Sequence, residues 1–224
     1  MLLSPDAAGH GDASQLRLDL AQSAQRLAEL IGDNRAVVVG YSMGARTALR
    51  LALDHPEKVS ALLLIGGTAG IEDPELRSQR RRGDEELAQR IEAVGVEHFI
   101  DEWVSQPLFD GLQPSTQDLD ARRKNTAEGL ASSLRLAGTS TMDPPWWNEL
   151  HQIEVPTVVM WGELDTKFGE LGERLVADIG PNASPRSVAN AGHAVHLQRP
   201  EIVVAEVLGL AAKVSGHGWT RQPS

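Results

Sequence analysis

The stretch Val37-Val38-Val39-Gly40-Tyr41-Ser42-Met43-Gly44-Ala45-Arg46 constrains the fold of this chain more than any other. A short β-branched run, the mark of a buried strand, passes through Gly-x-Ser-x-Gly into residues 45–53, which read as a helix. Strand, sharp turn and helix in that order lift a serine hydroxyl clear of the sheet and above a helix N-terminus. Glycines are expected at 40 and 44 because the turn brings backbone close to backbone. The unpaired N–H groups of the helix start, Met43 N–H among them, favour negative charge developing beside Ser42.

The rest of the chain supplies a sheet around this turn. Residues 58–67 and 155–162 read as further buried strands and 184–188 as a weak one. Helices are expected at about 16–31, 171–179 and 200–212. Alternating strands and helices predict an α/β fold with a mostly parallel sheet. Met1 to Asp6 has the look of a strand end, and residues 8–14 form a small-residue loop. Between about 70 and 150 the rhythm breaks into helices, loops and charge clusters, which predicts an inserted helical cap. The expected layout is a first core part over 1–69, the cap over 70–150, a second core part over 151–213 and a loose tail over 214–224.

With 224 residues, 41% of them apolar, the chain can bury one sizeable core. No apolar run approaches the roughly 18 residues of a membrane span, and the start lacks a signal-peptide pattern. A cytoplasmic protein without membrane association is expected. The absence of cysteine excludes disulfides, thiolate metal sites and a cysteine nucleophile. A net charge of −10 disfavours nucleic acid as a partner.

A serine nucleophile or base needs an imidazole, and the imidazole needs an acid to orient it. Gly162-Glu163-Leu164-Asp165 follows one strand and Ala191-Gly192-His193 follows the last, so Asp165 and His193 fall at strand ends. The order Ser42, Asp165, His193 is that of α/β-hydrolases. Asp165 as a turn cap and His193 as a residue of a helix start are the alternatives, and Glu163 is the weaker candidate acid. His196 is expected to pack at the start of the last helix, and His10 to bond backbone within its glycine loop.

Arginine in the cap is the second informative feature. On a helix over about 74–94, Leu76, Leu87, Ile91 and Val94 form one stripe, and Arg80 falls within it while Arg81 and Arg82 point elsewhere. A guanidinium there must pair, either with Asp84 one turn on or with an anionic ligand under the cap. Arg46 lies one turn beyond Ser42 on the same helix. Arg122 and Arg123 flank the stripe of a further cap helix, and Trp103 follows Phe99 by one turn. Several arginines and an aromatic facing one serine would suit a small substrate with more than one carboxylate.

These features belong to a recognisable pattern. Gly40-Tyr41-Ser42-Met43-Gly44-Ala45-Arg46, Arg77-Ser78-Gln79-Arg80-Arg81-Arg82-Gly83-Asp84, Trp103-Val104-Ser105-Gln106-Pro107-Leu108-Phe109, Trp146-Trp147-Asn148-Glu149-Leu150 and Gly162-Glu163-Leu164-Asp165-Thr166-Lys167-Phe168 carry it. The chain resembles the menaquinone-pathway lyases of α/β-hydrolase fold that eliminate pyruvate from 2-succinyl-5-enolpyruvyl-6-hydroxy-3-cyclohexene-1-carboxylate. The resemblance implies a triad of Ser42, Asp165 and His193 and substrate-binding positions at Tyr41, Arg46, Arg80, Trp103 and Arg122. It also implies no cofactor and no metal. Ser42, activated by His193, would remove a ring proton without an acyl-enzyme. A carboxylic ester or carbon–carbon bond hydrolase is the alternative activity.

The fold so implied begins with further strands and a strand ending in a His-Gly-type loop, whose backbone N–H is the second oxyanion donor. None of these precedes Met1. The expectation is therefore either a start that lies upstream or an inactive remnant, with Val37–Val39 short of one neighbouring strand.

Overall fold

A computed structural model describes residues 2–106 and 115–215. Strands β1 (Ala36–Tyr41), β2 (Val59–Ile65), β3 (Thr157–Gly162) and β4 (Ala183–Val188) form one sheet. All pairs are parallel, and the spatial order is the chain order. In register, Val39 lies opposite Leu63, and Leu63 opposite Val158. β2 and β3 are apolar along their length because a parallel sheet is covered on both faces.

Right-handed crossovers that step always in one direction place their helices on one face. On that face α1 (Leu20–Ile31), α2 (Met43–Asp54) and α7 (Thr166–Ile179) pack with Leu62, Leu64, Val159 and Trp161. The alternate residues Ala61, Leu63, Ile65, Val158 and Met160 face the other way. They are covered by Val195 of the short α8 (Val195–Gln198) and by Ile202, Val203 and Leu210 of α9 (Pro200–Ser215).

Boundaries moved where side chains cap helices. α1 starts four residues later than its apolar stripe, since Asp19 and Gln22 form a capping box at 2.8 and 3.0 Å. α7 starts five residues earlier than expected because Asp165 caps it, accepting from Phe168 N at 3.3 Å. Residues 2–6 are not in a strand. Asp6 instead accepts the N–H of Asp12 at 2.8 Å and folds the loop back on itself. α9 runs on to Ser215, into the first two residues of the expected tail; the other nine lie outside the described residues. β4 is an edge strand, largely exposed, which is where Pro185 is tolerated and why its pattern is weak.

Between β2 and β3 the described residues form no strand. α3 (Pro74–Val94), α4 (Val96–Val104), α5 (Thr116–Arg123) and α6 (Ala127–Ala137) close around their own cluster of Ile91, Phe99, Ile100 and Leu130. This helical layer is tied to the sheet layer at the nucleophile helix. Arg46 Nη2 donates to the carbonyl of Ala137 at 2.8 Å, and Ser133 Oγ donates to Met43 Sδ at 3.2 Å.

Candidate active site

Ser42 sits between β1 and α2 at φ 50°, ψ −106°, a conformation that costs a non-glycine residue energy. The turn is held by Ser42 N donating to the carbonyl of Ile65 at 2.8 Å. A β-carbon on Gly40 would lie 2.3 Å from the carbonyl oxygen of Gly44, so Gly40 is sterically required. The same expectation for Gly44 is corrected. A β-carbon there meets nothing within 4 Å beyond its own helix turn, and the close approach is made by Gly44's backbone alone. Met43 N–H begins α2 and has no acceptor within the helix, which leaves it available to an oxyanion.

His193 Nε2 is 3.1 Å from Ser42 Oγ, and His193 Nδ1 is 2.7 Å from Asp165 Oδ2. A carboxylate only accepts, so Nδ1 carries the proton and Nε2 is left to accept from the serine hydroxyl. The imidazole is 1% exposed, enclosed by the rings of Phe168 at 4.4 Å and Tyr41 at 5.2 Å. Two glycines make room for it. Gly66, at φ 57° after β2, would place a β-carbon 2.8 Å from His193 Cε1. Gly162 would place one 2.3 Å from the carbonyl of Ala191, so only glycine lets the loops after β3 and β4 approach. Glu163 is turned away from this cluster: its carboxylate accepts from Asn190 N at 3.1 Å. Asp165 is thus the carboxylate bonded to His193, and it is also the cap of α7.

The sequence model of the Alpha/beta hydrolase family matches residues 2–206. The chain belongs to this family. A Bacillus subtilis (strain 168) relative is 32% identical over 222 residues, which cover 92% of this chain and 80% of the relative. Its name marks it as a candidate 2-succinyl-6-hydroxy-2,4-cyclohexadiene-1-carboxylate synthase. A protein of Enterobacter sp. (strain 638) bearing that synthase name is 29% identical over 216 residues, 93% of this chain and 81% of its own. The solved structure of MenH from S. aureus superposes with a TM-score of 0.86 at 27% identity, covering 94% of this chain and 82% of that one.

In this alpha/beta hydrolase the expected arginines differ in environment. Arg46 is 8% exposed, with Nη2 bonded to Ala137 and Nε buried without a partner. Burial, and then the neighbouring charge of Arg80, push its pKa down to about 10, against a smaller opposing pull from Asp84. Arg80 donates from Nε to Asp84 Oδ1 at 2.7 Å, the intrahelical pairing. The buried member of that pair is the acid, at 5% exposure against 41% for Arg80. The expectation of a buried Arg80 stripe is corrected for a simple reason. Leu76 is 56% exposed, and the buried line of α3 runs through Asp84, Ala88 and Ile91.

Arg122, in the last turn of α5, makes no ion pair with a carboxylate among the described residues, whereas its neighbour Arg123 pairs with Asp101 and Asp120. The positive charge of Arg122 acts on Tyr41 and on His196. Tyr41 is held well above the usual phenol range, by burial first, with Arg122 opposing and Asp165 assisting. His196 packs at 4.2 Å on the Tyr41 ring, and burial, Arg122 and His193 push its pKa down to about 4 against a weaker pull from Asp118. Trp103 packs on Phe99, ring centroids 5.7 Å apart, in the cap cluster. Residues 107–109 of its motif lie outside the described residues. His10 Nδ1 lies 3.1 Å from the carbonyl of Ala8, the expected backbone contact.

Among the described residues no group of three or more His, Asp or Glu could hold a metal ion, and no helix is long and apolar enough to cross a membrane. Sequence reading passed over Gly66 and Asn125. The pair Gly66-Gly67 directly after a buried strand was the available signal for the first. The second left none, because its Oδ1 accepts from the backbone of Gly11, 114 positions away in the chain.

Proposed function

We propose that this enzyme eliminates pyruvate from 2-succinyl-5-enolpyruvyl-6-hydroxy-3-cyclohexene-1-carboxylate, giving 2-succinyl-6-hydroxy-2,4-cyclohexadiene-1-carboxylate in menaquinone biosynthesis. The names of the relatives support this reading. The single observation that carries it from the site itself is Arg46: a buried guanidinium one turn past Ser42, with Nε unpaired. A site for neutral esters gains nothing from a desolvated, half-satisfied cation, whereas a substrate carboxylate satisfies it.

Ser42 Oγ takes the ring proton while its own proton passes to His193 Nε2, and Asp165 stabilises the imidazolium. The electron pair of the broken C2–H bond forms a double bond between C2 and C3, the ring double bond shifts from C3–C4 to C4–C5, and the C5–O bond to the enolpyruvyl group breaks. Ser42 passes the ring proton to the methylene carbon of the departing enolate, which becomes pyruvate, and the proton held by His193 returns to Ser42 Oγ. Met43 N–H supports the negative charge that develops on oxygen. Arg46, Arg80 and Arg122, with Tyr41 and Trp103, bind the anionic substrate. The test is a direct comparison of pyruvate release from this substrate with hydrolysis of simple aryl esters. Pyruvate release without ester turnover is expected, and rapid ester turnover without pyruvate would overturn the reading.

A further inference from the structure

The loop preceding α1 meets the cap at a seam built from backbone. A β-carbon on Gly9 would lie 2.3 Å from the carbonyl oxygen of Gly129, and one on Gly129 would lie 2.3 Å from that of Gly9. Beside this contact Asn125 makes two side-chain hydrogen bonds of opposite sense. Its Oδ1 accepts from Gly11 N at 2.8 Å, and its Nδ2 donates to the carbonyl of Arg122 at 2.8 Å. One partner only donates and the other only accepts, so the amide has a single orientation. Gly11 is itself held: at φ 46° it lies against the Asp6 carboxylate, which accepts from Asp12 N at 2.8 Å.

We infer that Asn125 is a positioning residue for substrate binding, acting through Arg122. α5 has eight residues, and its last carbonyls lack intrahelical partners. The carbonyl of Arg122 accepts the backbone N–H of Asn125 at 3.3 Å, and the Asn125 amide adds a second bond to it that ties this turn to a loop of the sheet layer. The backbone of Arg122, which makes no ion pair among the described residues, is thereby tied to the loop preceding α1, and its charge acts on Tyr41, on His196 and on Asp118 one turn earlier. Since no ion pair among the described residues holds the head of Arg122, its placement for an anion depends on how its backbone is held.

This inference rests on Arg122 as a ligand of the anionic substrate, and the experiment separates the two. Asn125→Ala, Arg122→Gln and the double variant are assayed for pyruvate release, with thermal melts of each. Asn125→Ala is expected to raise KM on the order of tenfold, with kcat changed less than about twofold. In the Arg122→Gln background the same change is expected to add less than about twofold, since the residue it serves is gone. An unchanged KM for Asn125→Ala, or an undiminished effect in the Arg122→Gln background, would overturn the positioning role while leaving Arg122 as ligand. An unchanged KM for Arg122→Gln itself would remove the ligand reading and the inference with it. A lowered melting temperature with additive kinetics would mark Asn125 as a structural tie only.

Discussion

Gly66 lies directly beneath His193: at the end of β2 it adopts φ 57°, and a β-carbon there would come within 2.8 Å of the imidazole Cε1. One glycine therefore sets both the turn after β2 and the height of the base above the sheet. Gly66→Ala combines left-handed backbone strain, about 1–2 kcal/mol, with displacement of the ring from Ser42. We expect kcat to fall on the order of 10²-fold with KM little changed, alongside a lower melting temperature. Steady-state kinetics and a thermal melt check this, and an alanine variant with unchanged kcat would refute it.

Asp165 both orients His193 and caps α7, which allows a clean substitution. Asn can also cap a helix, so Asp165→Asn keeps α7 while removing the charge and permitting the wrong imidazole tautomer. Activity should drop by ~10²–10⁴-fold, the upper figure being that of a serine-protease triad. Glu163→Gln should stay within about threefold, because the Glu163 carboxylate serves the Asn190 turn. Equal losses in the two variants would mean that the acid is misassigned.

Arg46→Met tests whether stability is traded for binding. Removing this cation relieves the desolvation of an unpaired Nε but strips the buried Ala137 carbonyl of its donor, so the two effects offset and the melting temperature of the free enzyme should move by less than about 2–4 °C. Loss of a charge-assisted contact should meanwhile raise KM roughly 10- to 100-fold. A fall in melting temperature with unchanged KM would show that Arg46 is a structural cation.

His196 makes stability depend on pH. Its pKa, lowered from 6.5 to about 4 by burial and by the charges of Arg122 and His193, keeps it neutral in the folded enzyme. The unfolded chain binds the extra proton between those values, so this contribution is fully present above pH 6.5 and is lost as pH falls toward 4. The loss is of order 3 kcal/mol. Denaturant midpoints from pH 7 to 4 should therefore fall less steeply in His196→Gln than in the parent protein, and parallel curves would contradict the assignment.

The hydrogen-bonded chain Ser42–His193–Asp165 was legible in the sequence because each member is tied to a local signal. Ser42 stands in a strand-turn-helix motif, and Asp165 and His193 directly follow runs that read as strands; parallel strands carry all such loops to one edge. The central strands β2 and β3 were legible because a doubly covered sheet writes its burial into continuous apolar runs, whereas the exposed edge strand β4 left only a weak pattern. Helix starts were less so, because the Asp19–Gln22 box and the Asp165 cap override the apolar pattern.

Only the tertiary structure decided which arginine is paired and which is free. Periodicity placed Arg80 on a buried stripe, yet the end of α3 around Leu76 is exposed and Asp84 takes the buried position. Arg46 is only partly satisfied, because the cap offers its Nη2 the carbonyl of Ala137 and offers Nε nothing. The clearance between Gly66 and His193, and the bridge from Gly11 through Asn125 to Arg122, likewise join residues far apart in the chain. Local sequence determines which chemical groups the chain carries to the sheet edge. Their pairing and spacing are set by packing between distant segments, which no single stretch encodes.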